Sequence, residues 1–181
     1  AFGFMAKYNT QTPTVYNTAQ LYRHDRLEQL KMALARAKAE GFIYGVKIVR
    51  GAYMEKERKR AEAKGYTDPI QPNKAATDRD YNAALELILS NLEHMAVVVG
   101  TPNEASIELA ATLMTKHSIA FDSQRVYVAQ LFGMSDHISF NAANSGLNVA
   151  KYLPFGPVKD VLPYLFRRAE ENTAVEGQTG L

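Results

Sequence analysis

Val46-Lys47-Ile48-Val49-Arg50-Gly51-Ala52-Tyr53 reads as a strand that is cut off sharply. Gly45 to Arg50 is a short β-branched run, and Gly51 breaks it. A strongly charged segment, Glu55 to Lys64, follows with helical character. Upstream, Arg26 to Glu40 places Leu27, Leu30, Leu34 and Ala37 at helical spacing and stops at Gly41. Before it, Thr14 to Gln20 follows a proline and reads as a strand. Downstream, Gly65, Pro69 and Pro72 mark residues 65–76 as a loop. Thr77 or Asp78 then caps a helix from about Arg79 to Leu92. Met95 to Val99 is an apolar strand ended by Gly100, and Asn103 caps a helix through Ala105 to Lys116. Val126 to Leu131 and Asn148 to Leu153 are further strands, with a short helix between them. Pro157 sits near the start of a last helix running to about Asn172.

This order, strand and helix in alternation, predicts an α/β fold with a parallel sheet covered by helices. Five strands suit either an open doubly wound sheet or the later strands of an eight-stranded barrel. No glycine-rich dinucleotide fingerprint follows a strand, which weighs against the open sheet. No internal repeat and no low-complexity segment is present.

The chain has 181 residues, 46% of them hydrophobic and 22% charged, which suits one domain, residues 1–181, with its own core. A formal charge of +2 is too small to argue for a nucleic-acid partner. Cysteine is absent, so disulfides, thiolate metal sites and a cysteine nucleophile are excluded. His24, His94, His117 and His137 show no metal-ligand spacing, so no metal is expected. No apolar stretch is long enough to span a bilayer, and the N-terminus lacks signal-peptide order. The chain opens inside the apolar stretch Ala1–Met5 and stops abruptly at Leu181, so a segment of a longer protein is expected.

Ligands of parallel α/β folds bind at the C-terminal ends of the strands. Lys47 stands inside a β-branched strand, where burying a charge is costly unless it has a partner. Lys47 and Val49 share one face, Ile48 and Arg50 the other. Lys47 is thus either a solvated edge-strand lysine or a fixed cation beside an electron-rich ligand, with Gly51 and Ala52 allowing close approach. In the last helix, Tyr164, Arg168 and Glu171 fall on one face by i, i+4, i+7 spacing, with Arg167 one step round. Two adjacent arginines match a carboxylate through parallel hydrogen bonds, and Glu171 either supports them or meets an ammonium. The plain alternative is a solvated, charged helix end. The run Glu55 to Arg60 mixes acids and bases as an exposed helix does, and Ser135-Asp136-His137 is contiguous, which rules it out as a triad.

Taken in order, RGAY from Arg50, QLFGM from Gln130, KYLPFGP from Lys151 and YLFRRAEEN from Tyr164 resemble the proline dehydrogenases. The resemblance is collinear over nearly the whole chain. It implies an incomplete (β/α)8 TIM-like barrel, roughly its last five strands with their helices, the early ones lying outside this chain. It implies oxidation of L-proline to Δ1-pyrroline-5-carboxylate with noncovalent FAD, a membrane quinone as acceptor, and peripheral membrane association. The location would be cytoplasmic or peripheral on the inner membrane in a bacterium, and the mitochondrial inner membrane in a eukaryote.

By resemblance, Lys47 takes the place of the basic residue near flavin N5. Arg50, Gly51 and Ala52 match the segment lining the flavin, and Asn17 a polar residue at the isoalloxazine edge. Thr101 and Pro102 match a Thr-His pair near the cofactor, with proline replacing the histidine. Lys74 and Thr77 fall in a loop toward the adenosine side. Arg167 and Arg168 match the pair that clamps the proline carboxylate. Tyr53, Leu131, Tyr152 and Tyr164 match the pocket walls, and Glu171 the supporting acid. Two rival readings are a barrel aldolase using Lys47 as a Schiff-base nucleophile and an inactive fragment that binds a partner through open sheet edges.

Overall fold

The structure, a computed structural model, describes residues 1–166. It divides into two compact units, Ala1–Lys151 and Tyr152–Leu181. In the first, the chain runs α1 (Phe2–Tyr8), β1 (Tyr16–Gln20), α2 (Arg26–Glu40), β2 (Tyr44–Val49), α3 (Met54–Lys64), α4 (Lys74–Leu89), β3 (Met95–Gly100), α5 (Glu104–Lys116), β4 (Val126–Leu131), α6 (Asp136–Asn144) and into β5 (Val149–Tyr152).

The β-branched runs form strands because their side chains fill the space between sheet and helices. Val46, Ile48, Val97, Val99, Val126 and Val128 are buried on one face, each worth about 1.5–3 kcal/mol when fully buried. The helices answer with Leu30 and Ala37 from α2, Leu85 and Ile88 from α4, and Ala110 and Met114 from α5. The five strands lie in sequence order, β1-β2-β3-β4-β5, and the sheet does not close. The pairs from β1 to β4 are parallel, with Asn17 beside Val46, Lys47 beside Val98, and Val98 beside Tyr127. Registered neighbours share a face, so the alternation of β2 propagates to every strand it touches.

The helix ends follow local chemistry. α2 stops at Gly41 in the left-handed conformation (φ 71°), and Asn103 caps α5 by accepting from the Ser106 amide. Two expectations need correcting. α4 begins at Lys74, not near Arg79, because Asn73 is the cap and accepts from the Ala76 amide. Lys74 and Thr77 therefore stand on the first turn of a helix and not in a loop. A helix, α1, also forms where only an apolar stretch was noted. Its end is pinned by buried Asn9, whose Nδ2 donates to the Val15 and Ile43 carbonyls at 2.7 and 3.0 Å. Its Oδ1 accepts from the Thr14 and Val15 amides at 2.9 and 2.8 Å.

In the second unit, residues 158–166 are helical, as Pro157 suggested. Tyr152 and Tyr164 meet edge to face, ring centroids 5.7 Å apart at 65°. Arg167, Arg168 and Glu171 lie outside the described residues.

Candidate functional site

The inner face of the sheet, opposite the helices, carries the candidate chemistry. Register puts Thr18, Lys47, Val98 and Tyr127 in one row, and Gln20, Val49, Gly100 and Ala129 in the next row toward the strand ends. Lys47 is half-buried. Burial pulls its ammonium below the ordinary lysine value. Its neighbour across the sheet is decisive for its pose. A Cβ at Gly100 would lie 2.9 Å from Lys47 Cε, 2.9 Å from Val49 Cγ1 and 3.1 Å from the Ile48 carbonyl. The bare backbone of Gly100 thus makes the room in which the Lys47 stem lies. Further down the same face, Gly45 does the same for the Tyr16 ring. Tyr16 itself is pushed up to about 12, by burial first and then by Tyr127, against a lowering from Arg125.

The Arg50 side chain departs toward the helices. Its Nε donates to Asp78 Oδ1 at 2.5 Å, Nη1 to Thr101 Oγ1 at 3.1 Å, and Nη2 to Ser106 Oγ at 3.0 Å. The guanidinium also lies 4.4 Å above the centre of the Tyr81 ring. Burial acts to raise the Asp78 carboxyl, but hydrogen bonds from Lys74 and Arg50 outweigh it and hold the group low. Tyr81 is fully buried, and that burial drives its hydroxyl well above the ordinary range.

Thr101 is buried, and its Oγ1 also accepts from the Asn103 amide at 3.1 Å. Its carbonyl accepts from Gln130 Nε2 at 3.3 Å, and Gln130 Oε1 accepts from Ser139 at 2.8 Å. Pro102 is exposed at the apex of that turn.

The other expected residues are more dispersed. Gly51 adopts φ 113°, and a Cβ there would meet Tyr22 Cδ1 at 1.5 Å. The room its missing side chain leaves is taken by the Tyr22 ring, not by a ligand. Ala52 is exposed, and Tyr53 occupies the position just before α3. Leu131 ends β4 on the Lys47 face, by alternation. Lys74 pairs with Asp78 at 2.6 Å on the exposed turn of α4, while Thr77 is buried beneath it. Asn17 is not brought to Lys47. It is registered with Val46 and lines a groove of about 420 Å³ with Phe2, Met32, Arg36 and Tyr44 on the helix side. That groove lies across the sheet from Lys47. Thr18 and Gln20 are the polar β1 side chains on the Lys47 face. Gln20 also stands at the C-terminal end of its strand, where ligands of such folds bind, whereas the face of Thr18 follows only from the β1–β2 register.

Among the described residues no group of metal-ligating side chains is assembled, and no helix is long and apolar enough to cross a membrane.

A model of the family described as proline dehydrogenase matches residues 3–180. The chain belongs to the proline dehydrogenase family. Proline dehydrogenase 1, mitochondrial, of Caenorhabditis elegans is 42% identical over 94% of this chain and 29% of its own length. The human protein of the same name is 41% identical over 93% and 29%, respectively. Hydroxyproline dehydrogenase of Xenopus laevis is 43% identical over 94% of this chain and 38% of its own. The chain thus spans well under half the length of these family members. Among solved structures, proline utilization A from Bdellovibrio bacteriovorus, inactivated by N-propargylglycine, superposes with a TM-score of 0.85 at 25% identity. The match covers 92% of this chain and 17% of that one. The α/β fold and the incomplete barrel expected for the family are both present.

Proposed function

We propose that this chain carries the cofactor-facing part of a flavin-dependent proline dehydrogenase, which oxidises L-proline to Δ1-pyrroline-5-carboxylate and delivers the electrons to a membrane quinone. One observation carries the reading: in a member of this family, a half-buried lysine lies on the inner face of a parallel sheet, seated over a glycine that makes room for it. Peripheral membrane association and a mitochondrial or bacterial inner-membrane location follow from the quinone and from the names of the eukaryotic relatives, and belong to the same proposal.

FAD is the cofactor that the family implies, and the donor set on the inner face fits it. Lys47, Gln20 and Thr18 offer an ammonium, an amide and a hydroxyl along neighbouring strands, matching the polar edge of an isoalloxazine. When bound, the flavin supplies the acceptor for the hydride that leaves proline C5. Lys47 would hold positive charge where negative charge builds as electrons arrive, a role that preorganised cations fill well away from bulk water. Ala52, Thr101 and Pro102 would line the cofactor, and Lys74 and Thr77 would lie toward its adenosine half. Arg167 and Arg168 would clamp the substrate carboxylate, supported by Glu171. Tyr53, Leu131, Tyr152 and Tyr164 would wall the small apolar ring. Replacing Arg168 with methionine should then raise KM for proline sharply, and an unchanged KM would remove its clamp role.

An anaerobic visible spectrum of the protein with FAD, before and after L-proline, tests the whole reading. Bound flavin that bleaches on proline supports it. Bound flavin that never bleaches leaves cofactor binding here and removes substrate oxidation from this chain. The lowered ammonium of Lys47 also suits a Schiff-base nucleophile. Borohydride trapping with a carbonyl substrate separates the two, because the flavin reading predicts no trapped adduct.

A further inference from the structure

We propose that Arg50 is a positioning residue: it fixes the turn after β3, Thr101 to Ser106, against α4, and so sets the mouth of the sheet beside Lys47. This rests on the flavin reading above for its functional meaning, though not for its geometry. Arg50 stands one residue beyond β2, where the chain leaves the sheet. Three of its nitrogens reach three partners on two other segments. Asp78 lies on α4, Thr101 opens the β3–α5 turn, and Ser106 stands in the first turn of α5. The turn is closed on itself as well. Asn103 Oδ1 accepts from the Ser106 amide at 3.0 Å and from its hydroxyl at 3.2 Å.

The chain of contacts continues through the Thr101 carbonyl to Gln130 of β4 and on to Ser139 of α6. One guanidinium therefore starts a hydrogen-bonded belt that links α4, the ends of β2, β3 and β4, and α6. A planar fork suits this task, because its donors diverge at fixed angles toward different partners. A lysine offers one nitrogen on a flexible stem and cannot hold Asp78, Thr101 and Ser106 together. Two of the three partners, Thr101 and Ser106, stand on either side of Pro102, so the turn is held before and after its apex.

Hydrogen exchange on the full chain, comparing the unaltered protein with Arg50→Lys and Arg50→Met, tests the assignment. Arg50→Lys keeps a cation opposite Asp78, so its melting temperature should stay near that of the unaltered protein. Its amides at residue 101 and residues 103–106 should nevertheless exchange at least tenfold faster, with β2 and α4 little changed. Where the unaltered protein binds FAD, quenching of flavin fluorescence should show the Kd weakened at least tenfold by Arg50→Lys. Exchange at these amides that Arg50→Lys leaves unaltered, or that rises equally throughout β2, α4 and the turn, overturns the proposal. So does an unchanged Kd in a protein that binds FAD. An unaltered protein that binds no FAD overturns the flavin reading instead, while the exchange pattern still decides whether Arg50 holds the turn.

Discussion

Gly100→Ala is the sharpest perturbation the site allows, because one methyl group is aimed at the residue that matters. The new Cβ would sit 2.9 Å from both Lys47 Cε and Val49 Cγ1, and 3.1 Å from the Ile48 carbonyl oxygen. Comfortable carbon contacts lie at about 3.5–4.0 Å, so the overlap is at least about 0.6 Å. The lysine end is flexible and can swing away, but the Val49 rotamer is stiff and the carbonyl belongs to the sheet. Overpacking of this kind costs about 1–3 kcal/mol, and the mobile lysine places the expected loss near the lower end. Urea unfolding reads that loss, and carbon NMR of the lysine ε positions follows the ammonium.

Burial lowers the Lys47 pKa in the folded state. Between that lowered value and the ordinary lysine value, the unfolded chain binds more protons, so stability rises with pH through that window. Gly100→Ala should push the ammonium toward water, move its titration back up, and flatten that rise. In a Lys47→Ala background the same glycine substitution should cost less, which a double-mutant cycle measures. Unchanged stability together with an unmoved Lys47 titration would refute the claim that Gly100 seats this lysine.

Gly51→Ala combines a left-handed φ of 113° with a Cβ 1.5 Å from the Tyr22 ring, so it should cost about 3 kcal/mol or more; wild-type-like thermal melting would contradict this. Asn9→Ala leaves two carbonyls and two amides without their side-chain partner, a loss of about 2–4 kcal/mol in denaturant titration given the cost of buried, unsatisfied groups. Asp78 is held low, so its stabilisation is present above the unfolded carboxylate pKa and is lost as pH falls through the folded one. Acid unfolding of Asp78→Asn should therefore lack part of the stability decline that the unaltered protein shows there; superimposable acid profiles would rule it out.

The fold was largely legible because its signals are local. Short apolar and β-branched runs bounded by glycine or proline mark the strands within a residue or two, Gly41 stops α2, and Asn103 caps α5. The start of α4 was missed because its first turn, Lys74 to Ala76, carries no large apolar residue to announce the period. α1 was missed for the opposite reason. Seven residues containing a glycine are too few to hold a helix alone, and buried Met5 and the Asn9 bonds supply what local propensity lacks. At the site, the alternation within β2 correctly separated Lys47 from Arg50. It could not say which face of β1 belonged to which, because parallel register is set by pairing with a distant segment. Asn17, which the family resemblance puts at the isoalloxazine edge, lies on the helix side, while Gln20 shares the lysine's face. Gly51 was read as room for a ligand, and a ring from a segment about 30 residues upstream occupies it.

The sequential strand order has a kinetic consequence. Each parallel pairing closes a loop with its neighbour in sequence: Tyr16 to Gly45 and Val97 to Val126 span roughly 30 residues each, Tyr44 to Met95 roughly 50. Closure entropy grows only logarithmically, so the longer crossover, which carries both α3 and α4, is slower to close by a factor of about two. Each strand can therefore add to a sheet already begun by its predecessor, and assembly can proceed in the order of synthesis, with the β2–β3 closure as its slowest step.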